Sequence, residues 1–233
     1  MENQVGTLLL RNQQFFHPVM RFDSLKDRLC AMDFTAKNKE LTAEVINDVD
    51  RFSSYVQKEI SEKGARYGIG GYNELRTVYD RSTLFGQKEK EEPRRLHLGV
   101  DIWGKAGDPV YAFMGGMVHS VAFNDQYGDY GATLILTHQL EGTPFYTLYG
   151  HISLKDIHAV HSGQYITRGE VLAHLGEPSE NGHWPPHLHL QVIADIGLSE
   201  GDYPGVCRWS EREYYLRNCP DPDTILNWNR YVK

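Results

Sequence analysis

The stretch Trp184-Pro185-Pro186-His187-Leu188-His189-Leu190-Gln191-Val192 alternates polar and apolar side chains after its two prolines. His187, His189 and Gln191 share one face, and Leu188, Leu190 and Val192 the other. That period of two predicts a half-buried strand. Imidazoles at i and i+2 on a strand point the same way. Such a pair can bind one metal ion together, or one ring can bind it while the other acts as acid or base beside it. Gln191 is expected to be solvated, with a supporting hydrogen bond to the site as the alternative.

Two further stretches carry matching chemistry. In His97-Leu98-Gly99-Val100-Asp101 an imidazole and a carboxylate converge on one ion if the chain bends at Gly99. In Tyr146-Thr147-Leu148-Tyr149-Gly150-His151 a strand ends on a histidine beside a glycine. Tyr149, two before His151, either lines the same cleft or packs within a sheet. His17, His119, His138, His158, His161, His174 and His183 have no comparable setting and read as surface or core residues; His183 stands nearest the site loop.

Taken together, H-x-x-x-D, a strand-end Y-G-H and a proline-preceded H-L-H resemble the lysostaphin-like, or LytM-type, zinc metallopeptidases over about Leu96 to Ile193. The run from Ser162 to Leu172, punctuated by Gly163 and Gly169, is similar to that family's turn before its last strand. The resemblance implies zinc held by His97, Asp101 and His189, with a water in the fourth position. It implies His151 and His187 on the open side, one taking the water's proton and the other stabilising the oxyanion. The implied activity is a metalloendopeptidase acting on a peptide or peptidoglycan-like substrate.

The loop Glu180-Asn181-Gly182-His183-Trp184-Pro185-Pro186 departs from the family's usual small residues and single proline. Trp184 is expected to add bulk near the cleft. This loop, with residues 201–206 and 219–222, is most similar to family domains fused to kinase-like and aminotransferase-like enzymes. A non-hydrolytic binding or regulatory module is the alternative function. A cupin-like oxygenase would need a further glutamate and a later strand-borne histidine, which the sequence does not offer after His189.

The composition suits a globular chain: 233 residues, 40% hydrophobic and 24% charged. With a net charge of -7 and no Lys/Arg cluster, a nucleic-acid groove is not expected. Arg94-Arg95, beside the acidic run 89–92, reads as a solvated loop. No apolar run reaches the length of a membrane span, and Glu2 and Arg11 flank too short an apolar stretch for a secretory signal. The expected location is cytoplasmic, or periplasmic or extracellular if the natural chain starts earlier. Oligomeric state is not legible. Cys30, Cys207 and Cys219 are too few and scattered for a disulfide framework and are expected to be free thiols, with a Cys207–Cys219 bridge as the alternative.

The elements that must position these residues read as a mainly β, α+β chain, an antiparallel sheet with helical flanks. The 22 glycines, 14 tyrosines and 9 phenylalanines favour strands and tight turns. Residues 1–95 read as an N-terminal extension, 96–200 as the metallopeptidase core and 201–233 as a helical tail. Residues 1–37 show no periodicity. Leu41, Val45, Val49, Phe52, Val56 and Ile60 predict one amphipathic helix over about 38–60, stopped at Lys63-Gly64. Gly68 to Gly71 reads as a loop and 86–95 as an exposed linker. The extension is expected to pack on the core; an inhibitory arm would use His17, Asn38 or Asn73. Gly115-Gly116 and Glu141-Gly142 predict hairpins. Ser210 with Glu213 predicts a capping box on a short helix ending before Pro220, and Asp221-Pro222 a further helical turn.

Overall fold

The computed structural model describes residues 4–86 and 91–232. Twelve strands are present among them: β1 (Leu29–Ala31), β2 (Tyr67–Gly70), β3 (Leu96–His97), β4 (Val100–Trp103), β5 (Pro109–Tyr111) and β6 (Gly116–Asn124), followed by β7 (Gly131–Leu140), β8 (Thr143–Ile152), β9 (Tyr165–Ile166), β10 (Val171–His174), β11 (His187–Ile193) and β12 (Val206–Cys207). Eight form one open sheet in the order β1-β2-β4-β11-β8-β7-β6-β9. Every pairing in it is antiparallel except β1 with β2. The mainly β, α+β architecture expected from the sequence is the one that forms.

The β7–β8 hairpin is as expected. Glu141 and Gly142, at φ 48° and 79°, supply the two left-handed residues of a type I′ turn. The expected hairpin at Gly115-Gly116 does not form: β5 pairs with β10, and β6 pairs with β7 and β9. Gly116 serves close packing instead, since a Cβ there would lie 2.7 Å from His138 Nδ1. The expected loop at residues 68–71 is also different, being largely strand β2. A Cβ on Gly68 would meet Met32 at 2.8 Å, so glycine here permits close approach of neighbouring backbone rather than a turn.

The helical expectations are partly met. The single helix predicted over 38–60 is split into α2 (Ala43–Ile46) and α3 (Val49–Glu62). Asp48 breaks it, because its Oδ1 accepts from the amides of Asp50 (3.0 Å) and Arg51 (3.1 Å) and starts a new helix. Phe52, Val56 and Ile60 then pack beside Phe34, Trp103 and Trp184. Gly64, at φ 57°, closes the helix end as expected. In the aperiodic first 37 residues, α1 (Gln4–Asn12) forms and buries Val5, Leu8 and Leu9; nine residues give too few turns for a stripe to stand out.

After α4 (Leu154–His158), the tail contains α5 (Arg212–Asn218) and α6 (Asp223–Leu226). The expected Ser210–Glu213 box is absent. The Glu211 carboxylate accepts from the Arg208 amide (3.2 Å), and the Ser210 amide turns to Glu92 (3.2 Å). All three cysteines are free and buried. Arg94 is half-buried beside Phe85, not solvated as expected. The Glu2 and residue 89–90 readings lie outside the described residues. Among the described residues no helix is long and apolar enough to cross a membrane.

His138 is 1% exposed and holds the Gly115 carbonyl (3.0 Å) and Thr147 Oγ1 (2.7 Å). Burial pushes its pKa down from 6.5 to about 4. Its neutral form therefore contributes stability that is full above pH 6.5 and is lost as pH falls toward 4. At pH 5 the loss is about 2 kcal/mol relative to pH 7.5. Urea titrations at both pH values should show His138→Gln losing less stability on acidification than the wild type, by about that amount.

Candidate active site

Strand β11 lies between β4 and β8, so its residues have cross-strand neighbours on both sides. His189 stands opposite Asp101 on one side and Gly150 on the other. Cross-strand pairs share a face, which brings the late histidine and the early carboxylate together. Every residue of β11 is buried, a correction to the half-buried strand expected from alternation. Leu188, Leu190 and Val192 enter the main core. The imidazole face is walled by residues from 76–85 and 202–206 rather than by bulk water.

His97 returns to the site because Gly99 lets β3 and β4 bend tightly over β11. A Cβ on Gly99 would lie 2.6 Å from the His189 ring and 2.7 Å from the Leu190 carbonyl. His97 Nε2 lies 2.9 Å from His189 Nδ1, and Asp101 Oδ1 lies 3.2 Å and 3.1 Å from those two nitrogens. The three residues are 1–3% exposed.

His151 reaches the same face by an irregularity. Strict alternation would place it with Tyr149, but the β7–β8 register shifts here and His151 takes φ 62°. Tyr149 therefore packs in the core with Leu134 and Leu190, away from the cavity. His187, opposite Trp103, stacks on that indole at 4.0 Å and lies 4.1 Å from the His151 ring. The five sequence-predicted residues thus line one cavity of about 250 Å³.

Backbone and side-chain acceptors fix the proton on each ring. His97 Nδ1 donates to the Gly71 carbonyl (3.1 Å). His189 Nε2 donates to Gln191 Oε1 (2.9 Å), an assignment forced by Gln191 Nε2, which donates to the Pro204 carbonyl (3.1 Å). His97 Nε2 and His189 Nδ1 are then both lone-pair atoms, and they face each other and a carboxylate. Three acceptors without a proton between them repel unless a cation joins them. Two neutral imidazoles and one carboxylate, whose ligating atoms lie within 4.8 Å of one another, are a donor set that zinc accepts. Burial, with Arg76 nearby, holds His97 down at about 3; burial works against the Asp101 carboxylate, but the Arg76 guanidinium keeps it well below the usual carboxylate range, in its anionic form.

His151 and His187 donate through Nδ1 to the carbonyls of Asn181 and Pro185, both at 2.7 Å, leaving each Nε2 as an acceptor. Burial lowers His187 to about 4, and burial with the neighbouring imidazoles lowers His151 well below the ordinary histidine value. Asn181 holds its loop by donating to the Gly176 and Trp184 carbonyls.

Residues 95–199 match the family model described as Peptidase family M23. The L-Ala--D-Glu endopeptidase of Bacillus subtilis (strain 168) is 28% identical over 148 residues, which span 60% of this chain and 43% of that protein. The chain thus covers less than half the length of that curated relative. A zinc-containing peptidase from Vibrio cholerae shares 28% identity, covering 46% of this chain and 30% of that one, with a TM-score of 0.34. The lysostaphin catalytic domain from Staphylococcus simulans shares 17% identity, covering 70% of this chain and 96% of that one, with a TM-score of 0.39.

Gln191, expected to be solvated with a supporting hydrogen bond as the alternative, is fully buried and takes the alternative, accepting from His189 Nε2. Two other site residues were not singled out from sequence. Tyr130 packs over Gly150 and its ring lies 5.1 Å from His189. Arg76, from the stretch before the family match, pairs with Asp101. Neither stands in a motif; each is recognisable only once distant segments are brought together. Trp184 lines the cavity as expected, whereas His183 is exposed outside it. His17, Asn38 and Asn73 do not line the cavity. Gln191→Leu should weaken zinc binding about 10- to 100-fold, because His189 loses the partner that fixes its tautomer; competition with a chromophoric chelator measures this.

Proposed function

We propose that this chain is a zinc-dependent metalloendopeptidase that hydrolyses a peptide amide bond. The observation that carries this reading is the convergence of two imidazole lone pairs and one carboxylate oxygen beside two further imidazoles with open Nε2 atoms. His97, Asp101 and His189 would hold the zinc. When bound, zinc supplies a Lewis acid that acidifies a water and polarises a carbonyl.

The chain's own residues do the rest. One of His151 and His187 accepts a proton at Nε2 from the attacking water. The other, after taking up a proton from solvent at Nε2, would donate a hydrogen bond to the oxyanion. Their rings are 4.1 Å apart, close enough to serve one reacting group. Trp103 and the Pro185 carbonyl keep His187 in place, and the Asn181 carbonyl does so for His151. The buried walls exclude bulk water, which strengthens each of these contacts.

Likeness to the L-Ala--D-Glu endopeptidase makes short peptides, including those of peptidoglycan, the first substrate class. The similarity to domains fused to kinase-like and aminotransferase-like enzymes rests on the loops at 180–186, 201–206 and 219–222. The test is to incubate zinc-loaded protein with purified peptidoglycan and with a peptide library, and to read products by mass spectrometry. New fragments that each carry one added water across a cleaved amide are expected. A zinc-loaded protein that releases none from either would overturn the hydrolase reading and leave a binding module.

A further inference from the structure

Arg76 is 2% exposed, which is costly for a guanidinium unless its charge is met. Its Nη1 pairs with Asp101 Oδ2, and its Nε donates to Glu74 Oε2 at 2.6 Å. The guanidinium carbon lies 5.2 Å from the Phe34 ring centre, which supports the group from one side. The backbone around it is fastened to β3. The Asn73 amide donates to the His97 carbonyl (3.0 Å), the His97 amide to the Glu74 carbonyl (2.9 Å), and the Arg76 amide to the Arg95 carbonyl (2.9 Å). The Gly71 carbonyl in the same stretch receives His97 Nδ1. Residues 71–76 thus hold the side chains of both early site residues, although they precede the matched family region at 95–199.

We propose that Arg76 is a positioning residue of the metal centre: it holds Oδ2 of Asp101, so that Oδ1 alone is presented to the ion. This rests on the zinc reading above. The two carboxylate oxygens already have separate tasks, since Oδ1 lies 3.2 Å from His97 Nε2 and 3.1 Å from His189 Nδ1 while Oδ2 is on the guanidinium. A carboxylate free to rotate could close on the ion through both oxygens and occupy the position that water and substrate require. Arginine suits this role better than lysine, because its planar fork sends donors in two fixed directions, here to Asp101 and to Glu74.

The experiment compares wild type, Arg76→Gln and Arg76→Lys in the full chain. It measures zinc affinity by chelator competition, the visible spectrum after cobalt(II) substitution, and folding by circular dichroism. Arg76→Gln is expected to fold, to bind zinc about 10- to 100-fold more weakly, and to show a weaker cobalt d–d band as the coordination number rises. Arg76→Lys should fall between it and wild type. Loss of a nearby positive charge alone would tighten metal binding, so the sign separates positioning from charge. Folded Arg76→Gln with unchanged or tighter zinc affinity and an unchanged cobalt spectrum overturns the proposal. If Arg76→Gln fails to fold, Glu74→Gln frees the other side of the guanidinium; a several-fold affinity loss with the same spectral change supports the proposal, and no change in either overturns it. Wild type that binds neither metal overturns the zinc reading itself, a distinct result.

Discussion

His189→Ala is expected to bring zinc content from about one ion per chain to almost none, and hydrolysis with it. His189 ties the converging donors to the loop that covers them. Its Nδ1 faces His97 and Asp101, and its Nε2 is tied through Gln191 to the loop at Pro204. The variant leaves one imidazole and a carboxylate already engaged by Arg76, too few donors for a tetrahedral site. A readout independent of substrate exists. Zinc at about 100 times its Kd should raise wild-type unfolding free energy by about 2.7 kcal/mol through binding to the native state alone. Urea titrations of His189→Ala should show no such shift. A variant that still gains stability from zinc would place the ion elsewhere.

The residues of this centre were legible in the sequence because each lies beside a feature with a local cause. His187 and His189 follow two prolines on an alternating strand, Asp101 follows a glycine that permits a bend, and His151 follows a glycine at a strand end. What was not legible depended on encounters between distant segments. Gln191 looks like a solvated strand residue until Pro204 and Cys219 close over its face. Tyr149 and His151 should share a face by period two, and only the left-handed backbone at His151 separates them. The glycines at 68, 70 and 116 carry the same letter as turn glycines, yet here they admit Met32 and His138 against the backbone. The hairpin at Glu141-Gly142 was legible because both residues sit in the turn type that their flanking strands demand.

His151→Ala separates chemistry from metal binding. His151 is not among the three converging donors, so zinc content should remain about one per chain. Hydrolysis should nonetheless fall by about 10²- to 10⁴-fold, the usual worth of a positioned acid or base. His187→Ala should give a similar loss with zinc retained, since its Nε2 is equally open and its ring is stacked between Trp103 and His151. The two differ in what anchors them. His187 is held by the Pro185 carbonyl, two residues before it at the entry to its strand. His151 depends on Asn181, whose loop is closed by hydrogen bonds to Gly176 and Trp184. Asn181→Ala should therefore lower hydrolysis through His151 while leaving His187 and the zinc content untouched. Measuring zinc by atomic absorption beside hydrolysis rates for the three variants checks the scheme. Loss of zinc in His151→Ala would move that residue from proton transfer to metal binding, and full activity would remove it from the reaction.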